Sequence, residues 1–472
     1  MLERNTKIIC TLGPAIDDEK TLIKMFEYGM DVARLNFSHG SPKTAIKQIF
    51  KIRNAAAKAN KHIAIMLDTK GPEIRVGEME NDGCFFNEGD TIKFVKEEVL
   101  GNKERIYINC KELFDDVRVG NNLLIDDGKI SLEVINVLEN EIHCRFLNDG
   151  CIKSKKGINA PGVELSMPFI SEKDYQDIKF GCEQGVDAFA LSFVRTADDV
   201  LEVKKLLREF NTNAEVIAKI ECKQGVDNLE EIIKVSDGIM VARGDLGVEV
   251  APELVPMYQK EIISLANSYG KFVITATHML ESMIENPRPT RAEASDVANA
   301  ILDGSDAIML SGESAIGKYP FDSVKYMVKI AKIAESMVDH KAVLRKAEKT
   351  YLSTRNDAVS MAAAEIALKM KEVKAIIAFT ETGGTPKRIF KYRPRVPVIA
   401  CTDNQNTGRR LAFYRGVHTV VAKYIDDLSM CDEIAKEVAT SIGLKKDDQI
   451  IIIAGFAETH GITNTIRIIA LD

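Results

Sequence analysis

Residues 214–250 read AEVIAKIECKQGVDNLEEIIKVSDGIMVARGDLGVEV. Two short apolar runs, Val216-Ile217-Ala218 and Gly238-Ile239-Met240-Val241, flank a segment whose apolar residues recur at helical spacing. That is the pattern of a β-α-β unit, and each run ends in charge. Side chains alternate along a strand, so Lys219 and Glu221 leave the first run on the same face. The second run delivers Arg243, Gly244 and Asp245. An ammonium with two carboxylates at adjacent strand ends is what a site needs to hold a divalent cation and neutralise a transferring phosphoryl group. Charges after a strand also make ordinary solvated rims, and both readings stand for an isolated Lys-x-Glu. Gly244 favours the site, because a glycine opening a tight loop frees backbone N–H groups for an anion.

The same rhythm extends in both directions. Upstream, residues 1–70 hold three strand-like runs ending in polar residues: Lys7 to Cys10, Val32 to Gly40 (VARLNFSHG), and Ile63 to Leu67 leading into Asp68-Thr69-Lys70. Downstream of Pro168 come Asp187 to Val194, the two runs of the opening stretch, Phe272 to Thr277 and Ala307 to Ser311. Eight β-α units interrupted once predict an α/β fold, a (β/α)8 TIM barrel over 1–70 and 167–340, with its active site at the C-terminal strand ends. Every polar burst named so far lies there. Thr290 and Glu293 have capping-box spacing and mark a helix start.

The interruption, 71–166, changes character. Alternating runs such as Thr91 to Val95, Arg105 to Ile108 and Leu123 to Ile125 replace the β-α pattern, and Asp126-Asp127-Gly128 joins the last of these to Ile130–Val137 as a hairpin would. A small inserted β lid domain is expected. A third, α/β domain is expected over 341–472, with strands at Ala375 to Phe379, Val398 to Cys401, Gln449 to Ala454 and near Ile466 to Leu471. Its first strand enters Thr380-Glu381-Thr382-Gly383-Gly384-Thr385 and then a helix. Hydroxyls and glycines at such a turn form a phosphate cradle, and equally an ordinary capped turn. Gly312 to Lys318 fits G-x-x-x-x-G-K, but Tyr319 and Pro320 follow, so no hydroxyl is available for magnesium.

At 472 residues the chain exceeds a single core, and 45% hydrophobic with 28% charged residues is ordinary globular composition. A formal charge of −7 with no basic block argues against nucleic-acid binding. No apolar run approaches membrane-spanning length and MLERNTKII is no signal core, so a cytoplasmic protein without membrane contact is expected. The nine cysteines never fall at metal-ligand spacing and read as reduced thiols.

Taken in order, TKIICTLGPA, RLNFSHG, LDTKGPEIR, SKKGIN, AKIE, MVARGDLGVE, TATHMLESM with NPRPTRAEASDVANA, and MLSGES closely resemble the pyruvate kinase family over essentially the whole chain. The resemblance implies the last step of glycolysis: phosphoryl transfer from phosphoenolpyruvate to ADP, giving ATP and enolpyruvate, which is protonated to pyruvate. It assigns Lys219 to the transferring phosphoryl, Glu221 and Asp245 to Mg2+ (or Mn2+), and the amides of Ala242, Arg243, Gly244 and Asp245 to the substrate carboxylate. Thr277, with Ser311 in a water-linked relay, becomes the proton route. Asn36, Ser38, Asp68 and Thr69 match K+ ligands, and Glu73 marks K+ dependence. Arg34, Arg75, His39 and Lys156 match groups that face nucleotide and phosphate; Asn36 is also implied in nucleotide binding, and Arg34 in catalysis and substrate binding.

A homotetramer and a phosphorylated effector held by Thr380, Thr382, Gly384 and Thr385 are further implications. Glu381, and Ala457 where relatives can carry arginine, count against fructose bisphosphate. Activation by another sugar phosphate or AMP, or no regulation, is the expectation. His278 replaces the glutamine or methionine of many relatives. Two other readings were weighed, a magnesium-dependent lyase or aldolase acting on a 2-oxoacid and a silent metabolite sensor. Lys156, Lys219 and the K+ set count against the first. The second would be expected to lack one of Lys219, Glu221, Asp245 or Thr277, and this chain has all four.

Overall fold

A computed structural model of the chain describes residues 4–38, 40–350, 352–422, 428–455 and 463–472. Eight parallel strands close into a barrel in chain order: Lys7–Thr11, Val32–Asn36, Ala64–Asp68, Ala188–Leu191, Glu215–Ile220, Gly238–Ala242, Phe272–Ala276 and Ala307–Leu310. The ring closes where the first strand pairs with the eighth, Lys7 opposite Ala307. Closure leaves no strand edge to protect, and the (β/α)8 barrel expected from the rhythm is present.

Alternation along the fifth strand sorts its residues between two cores. Val216, Ala218 and Ile220 face outward, in one cluster with Val203, Ile232 and Ile233. Ile217 faces inward with Ala190, Met240 and Ile274. Lys219 shares the inward parity, two residues nearer the C-terminal end, so the pattern of a buried strand aims an ammonium into the barrel mouth. The helix Arg291–Asp303 starts as its spacing predicts. Thr290 Oγ1 accepts from the Glu293 amide at 3.2 Å, and the Glu293 carboxylate accepts from the Thr290 amide at 2.7 Å.

Between the third and fourth strands lies the inserted domain. Seven strands form its main sheet, with Ile74–Arg75 at one end and Arg105–Tyr107 at the other. A bridge between Val76 and Ile108 joins those ends and closes the sheet around Phe94, Leu132 and Ile142. Asn122–Ile125 and Ile130–Val137 form the expected hairpin, antiparallel with Ile125 opposite Ile130. Its turn residues Asp126, Asp127 and Gly128 have φ of 55°, 56° and 81°, left-handed backbone that Asp and Gly accept more readily than other residues.

The C-terminal sheet has the order Val417–Val421, Val398–Thr402, Val373–Phe379, Gln449–Ala454, Thr465–Ala470, parallel except for the last pair. Val417–Val421 is absent from the sequence reading. It is a half-exposed edge strand carrying His418 and Thr419, so it shows no apolar alternation. The charged stretch that opens this domain is helical over His340–Glu348.

This domain seals the barrel's N-terminal end. Phe272 from the seventh strand stacks on Phe413 at 5.4 Å between centroids and meets Tyr414 edge-on at 5.0 Å. The inner core of the barrel therefore continues into the C-terminal domain. Around this plug, Arg409 pairs with Asp187 at 2.9 Å, Lys387 with Glu215 at 2.6 Å and Arg393 with Asp306 at 2.5 Å. Asp187 and Asp306 also accept backbone amides of neighbouring strands, from Ile65 and Val273, so each buried carboxylate is both paired and hydrogen-bonded. Among the described residues no helix is long and apolar enough to cross a membrane. All nine cysteines are free thiols.

Candidate active site

A cleft of about 620 Å³ opens between the C-terminal strand ends and the lid. Arg34, Asn36, Ser38, Lys219, Glu221 and Asp245 line it from the barrel, and Arg75, Asp126 and Lys156 from the lid. The residues quoted from far-apart motifs thus meet in one place.

Lys219 is the hub. Its Nζ lies 3.1 Å from Asp68 Oδ1, 2.8 Å from Glu221 Oε1 and 2.7 Å from Ser192 Oγ. Burial lowers the proton affinity of Lys219, but Asp68, Glu221 and Asp245 together raise it above its ordinary value, so it stays an ammonium. Burial pushes the Glu221 carboxyl up to about 8; Lys219 opposes this and the Asp245 charge adds to it. Asp68 goes the other way. Burial works against its charge, yet Lys219 and Arg34, whose Nε donates to Asp68 Oδ2 at 2.7 Å, hold it below the usual carboxylate range.

The donor set can be tested against the ions the resemblance implies. Two cations, Lys219 and Arg34, face three acids, Asp68, Glu221 and Asp245, so the cluster has room for further positive charge. No group of three or more His, Cys, Asp or Glu suited to a metal occurs among the described residues. Glu221 and Asp245 alone offer two carboxylates, the set Mg2+ takes when substrate oxygens and water complete its shell. Asn36 lies opposite Asp68 in the register of the second and third strands, Thr69 follows Asp68, and Asn36 Oδ1 accepts from the Ser38 amide at 3.1 Å. These four contribute the oxygen donors that hard cations prefer. The residues fit both ions.

Other expected residues sit less simply. Gly244 donates its amide to Thr277 Oγ1 at 2.8 Å, so one N–H expected to face the substrate carboxylate has an internal partner here. Ala242 caps the short helix Arg243–Glu249, which carries Asp245. Arg243 turns away from the cleft, to Asp296 at 2.7 Å and the carbonyl of Thr277 at 2.7 Å. Thr277 and His278 have φ of 64° and 53°, left-handed backbone that is unfavourable for a β-branched threonine and is stored where surroundings enforce it. Ser311 donates its amide to Glu313 at 2.8 Å, and neither Ser311 nor Thr277 is among the cleft-lining residues.

On the lid, Lys156 pairs with Asp126 at 2.7 Å, and Arg75 grips Glu73 through Nε at 2.8 Å and a terminal nitrogen at 3.0 Å. Asn159 Nδ2 reaches across to Glu249 Oε1 at 2.7 Å, a lid-to-barrel contact not foreseen in the sequence. His39 and Ala457 lie outside the described residues.

In the C-terminal loop, Gly383 has φ of 88° and precedes the helix Gly384–Lys391. Thr380 Oγ1 accepts from the Gly383 amide at 3.0 Å, Thr385 is buried with its hydroxyl 2.8 Å from that of Thr463, and Thr382 is exposed. Arg388 donates to Thr463 Oγ1 at 3.1 Å.

Ser192 and Phe193 went unnoticed in the sequence, where Asp187 to Val194 reads as one strand. The strand ends at Leu191, and Phe193 has φ of 55° with its amide donating to Glu221 Oε2 at 2.7 Å. A serine in an apolar run carries no local sign of this.

A parallel barrel with a buried ammonium amid acids, and a lid over the strand ends, is the architecture of a barrel enzyme with its cleft at the C-terminal strand ends. Family models described as pyruvate kinase, barrel domain, and pyruvate kinase, alpha/beta domain, match residues 3–324 and 357–469. A pyruvate kinase of Geobacillus stearothermophilus is 47% identical over 473 residues, covering 99% of this chain and 80% of that protein. One from Staphylococcus aureus (strain MRSA252) is also 47% identical, over 98% of this chain and 80% of that protein. The crystal structure of a pyruvate kinase from Cryptosporidium parvum superposes with a TM-score of 0.95 at 39% identity, covering 100% of this chain and 97% of that one. The chain belongs to the pyruvate kinase family.

Proposed function

We propose that this chain transfers the phosphoryl group of phosphoenolpyruvate to ADP, with Lys219 facing the transferring group and Glu221 and Asp245 holding Mg2+ or Mn2+. The observation that carries this is the convergence of Lys219 and Glu221, 2.8 Å apart, with Asp245 in one cleft to which the lid brings Arg75 and Lys156. Lys219 supplies a fixed positive charge where phosphoryl charge develops, and its acidic neighbours keep it protonated throughout. When bound, the divalent cation acts as a Lewis acid on phosphoryl and enolate oxygens. Arg34 anchors on Asp68 and presents its remaining donors to the cleft. Thr277, whose hydroxyl accepts from the Gly244 amide in the helix that carries Asp245, delivers the proton to the enolate; Ser311 stands behind it in the relay. Ala242 to Asp245 receive the substrate carboxylate, for which the Gly244 amide exchanges its partner.

Asn36, Ser38, Asp68 and Thr69 hold K+, and Glu73 belongs to the K+-dependent pattern. Arg75, Lys156, Asn36 and His39 face the nucleotide; Lys156 leaves Asp126 for phosphate as the lid closes and excludes water. The division into 1–70 with 167–340, 71–166 and 341–472, a homotetramer, and a cytoplasmic location belong to the same reading. Thr380, Thr382, Gly384 and Thr385 receive a phosphorylated effector other than fructose bisphosphate, with Arg388 beneath the loop as the supporting observation.

The test is a coupled assay of pyruvate formation. Activity should require phosphoenolpyruvate, ADP, Mg2+ and K+, and fall when Na+ replaces K+. Undiminished rates in Na+ would sink the K+ assignment. Titrating sugar phosphates and AMP against wild type and Thr382→Ala tests the effector loop: a shift in substrate dependence seen only with wild type supports it.

A further inference from the structure

We propose that Ser192 is a positioning residue for phosphoryl transfer, fixing the direction in which Lys219 points. This rests on the reading of Lys219 as the group that meets the transferring phosphoryl.

Lys219 Nζ has three protons, and its near neighbours are Ser192 Oγ at 2.7 Å, Glu221 Oε1 at 2.8 Å and Asp68 Oδ1 at 3.1 Å. An ammonium only donates, so Ser192 Oγ must accept from it, and the hydroxyl proton goes elsewhere. It goes to the Thr69 carbonyl at 2.7 Å. The serine is buried, and its own amide lies 3.3 Å from Thr69 Oγ1, so both its ends are tied to the strand end that carries Asp68. Gly71 packs on it so tightly that a Cβ there would lie 2.8 Å from the Ser192 Cβ. The hydroxyl has little freedom, and a lysine with a long flexible stem gains a fixed acceptor.

The backbone after it serves the other side of the pair. Phe193 sits at φ of 55°, a conformation unfavourable for a bulky residue, and this turn aims its amide at Glu221 Oε2. That leaves Glu221 Oε1 toward Lys219 and the cleft. When Glu221 engages a cation and a substrate phosphoryl accepts one Lys219 hydrogen bond, Ser192 and Asp68 are the contacts that keep the ammonium in place. Ser192 borders the cleft, but its uncharged hydroxyl is committed to Lys219 and the Thr69 carbonyl, so it acts through Lys219.

The experiment compares Ser192→Ala, Lys219→Met and the double variant in the coupled assay, with Mn2+ binding followed by electron spin resonance and folding by thermal melting. Ser192→Ala should lower kcat about 10- to 100-fold, the cost of a misplaced catalytic group, with the KM for phosphoenolpyruvate and the Mn2+ affinity nearly unchanged. In the Lys219→Met background it should cost almost nothing more, because a residue acting through another loses its effect when that other is gone. Full kcat in Ser192→Ala overturns the inference, as does an equal loss in both backgrounds, which marks general packing damage. If Ser192→Ala does not fold, Ser192→Cys, with similar shape and a weak acceptor, is judged by the same criteria. Lys219→Met retaining full activity would overturn the site reading itself; an inactive Lys219→Met beside a fully active Ser192→Ala overturns only this inference.

Discussion

At the N-terminal end of the barrel, Asp187, Glu215 and Asp306 each meet a cation from the C-terminal domain, and two of them also receive a backbone amide. At the C-terminal end, Asp68 and Glu221 share one lysine, and Asp245 adds a third negative charge that Glu221 feels. Both ends bury acids and bases, and the strand Glu215–Ile220 contributes to each. The lower set is complete within the protein and serves to hold two domains together. The upper set is short of positive charge, and the cost shows in Glu221, whose carboxyl is driven to about 8. Incomplete pairing at an otherwise saturated barrel is what distinguishes a place for ions and substrate from a structural joint.

Four perturbations would break or sharpen that contrast. Lys219→Met should reduce kcat by about 10³ with the fold intact, because one preorganised charge at a developing anion is worth that much; stopped assays and a melting curve read the two quantities separately. Arg393→Ala, at the other end, should do the reverse. It strands Asp306 in the core and should cost about 3–4 kcal/mol of stability by chemical denaturation, with kcat at low temperature near wild type. If Arg393→Ala removed activity before stability, the two ends would not be separable as described.

Glu221→Gln should weaken Mn2+ binding about 100-fold, about 2.7 kcal/mol, while raising thermal stability slightly, since it removes a buried acid that has too little positive charge around it. Titration of Mn2+ by electron spin resonance and a melting curve decide it; unchanged affinity removes Glu221 from the metal site. The smallest effect concerns pH. Burial, then Lys7 and Arg4, hold His418, on the edge strand of the C-terminal domain, well below its ordinary value, and its Nε2 is buried without a partner. The folded state therefore keeps it neutral while the unfolded state takes up a proton below about pH 6.5. Stability present above that pH should be lost as pH falls through it, by about 1.4 kcal/mol per unit. Denaturation of wild type and His418→Phe between pH 7.5 and 5.5 measures it as the difference between their slopes, because Glu221, held at about 8, contributes an opposite slope to both.

Much of this was legible without coordinates. The two-residue parity that puts Lys219 and Glu221 on one face is a property of any strand, and the barrel's eight-fold rhythm needs only apolar runs and helical spacing between them. The capping box at Thr290 and Glu293 and the hairpin turn at Asp126 to Gly128 are likewise local chemistry. What escaped was set by contacts between distant segments. Arg393 and Asp306 are 87 residues apart, and nothing near either announces the pair. Phe193 adopts a left-handed backbone that its type disfavours, so propensity points the wrong way. Thr277 accepts from the Gly244 amide in the loop after the neighbouring sixth strand, which only the pairing of those two strands brings within reach.

The strand Glu215–Ile220 joins the barrel's two ends. Glu215 is gripped by Lys387, which stands in the first turn of the helix that follows the Thr380–Thr385 loop, and Lys219 lies four residues further on, about 13 Å of extended backbone. An extended strand hydrogen-bonded on both sides resists stretching. The Thr380–Thr385 loop and the ammonium thus sit by opposite tips of one stiff rod, the loop joined to it through Lys387 and Glu215.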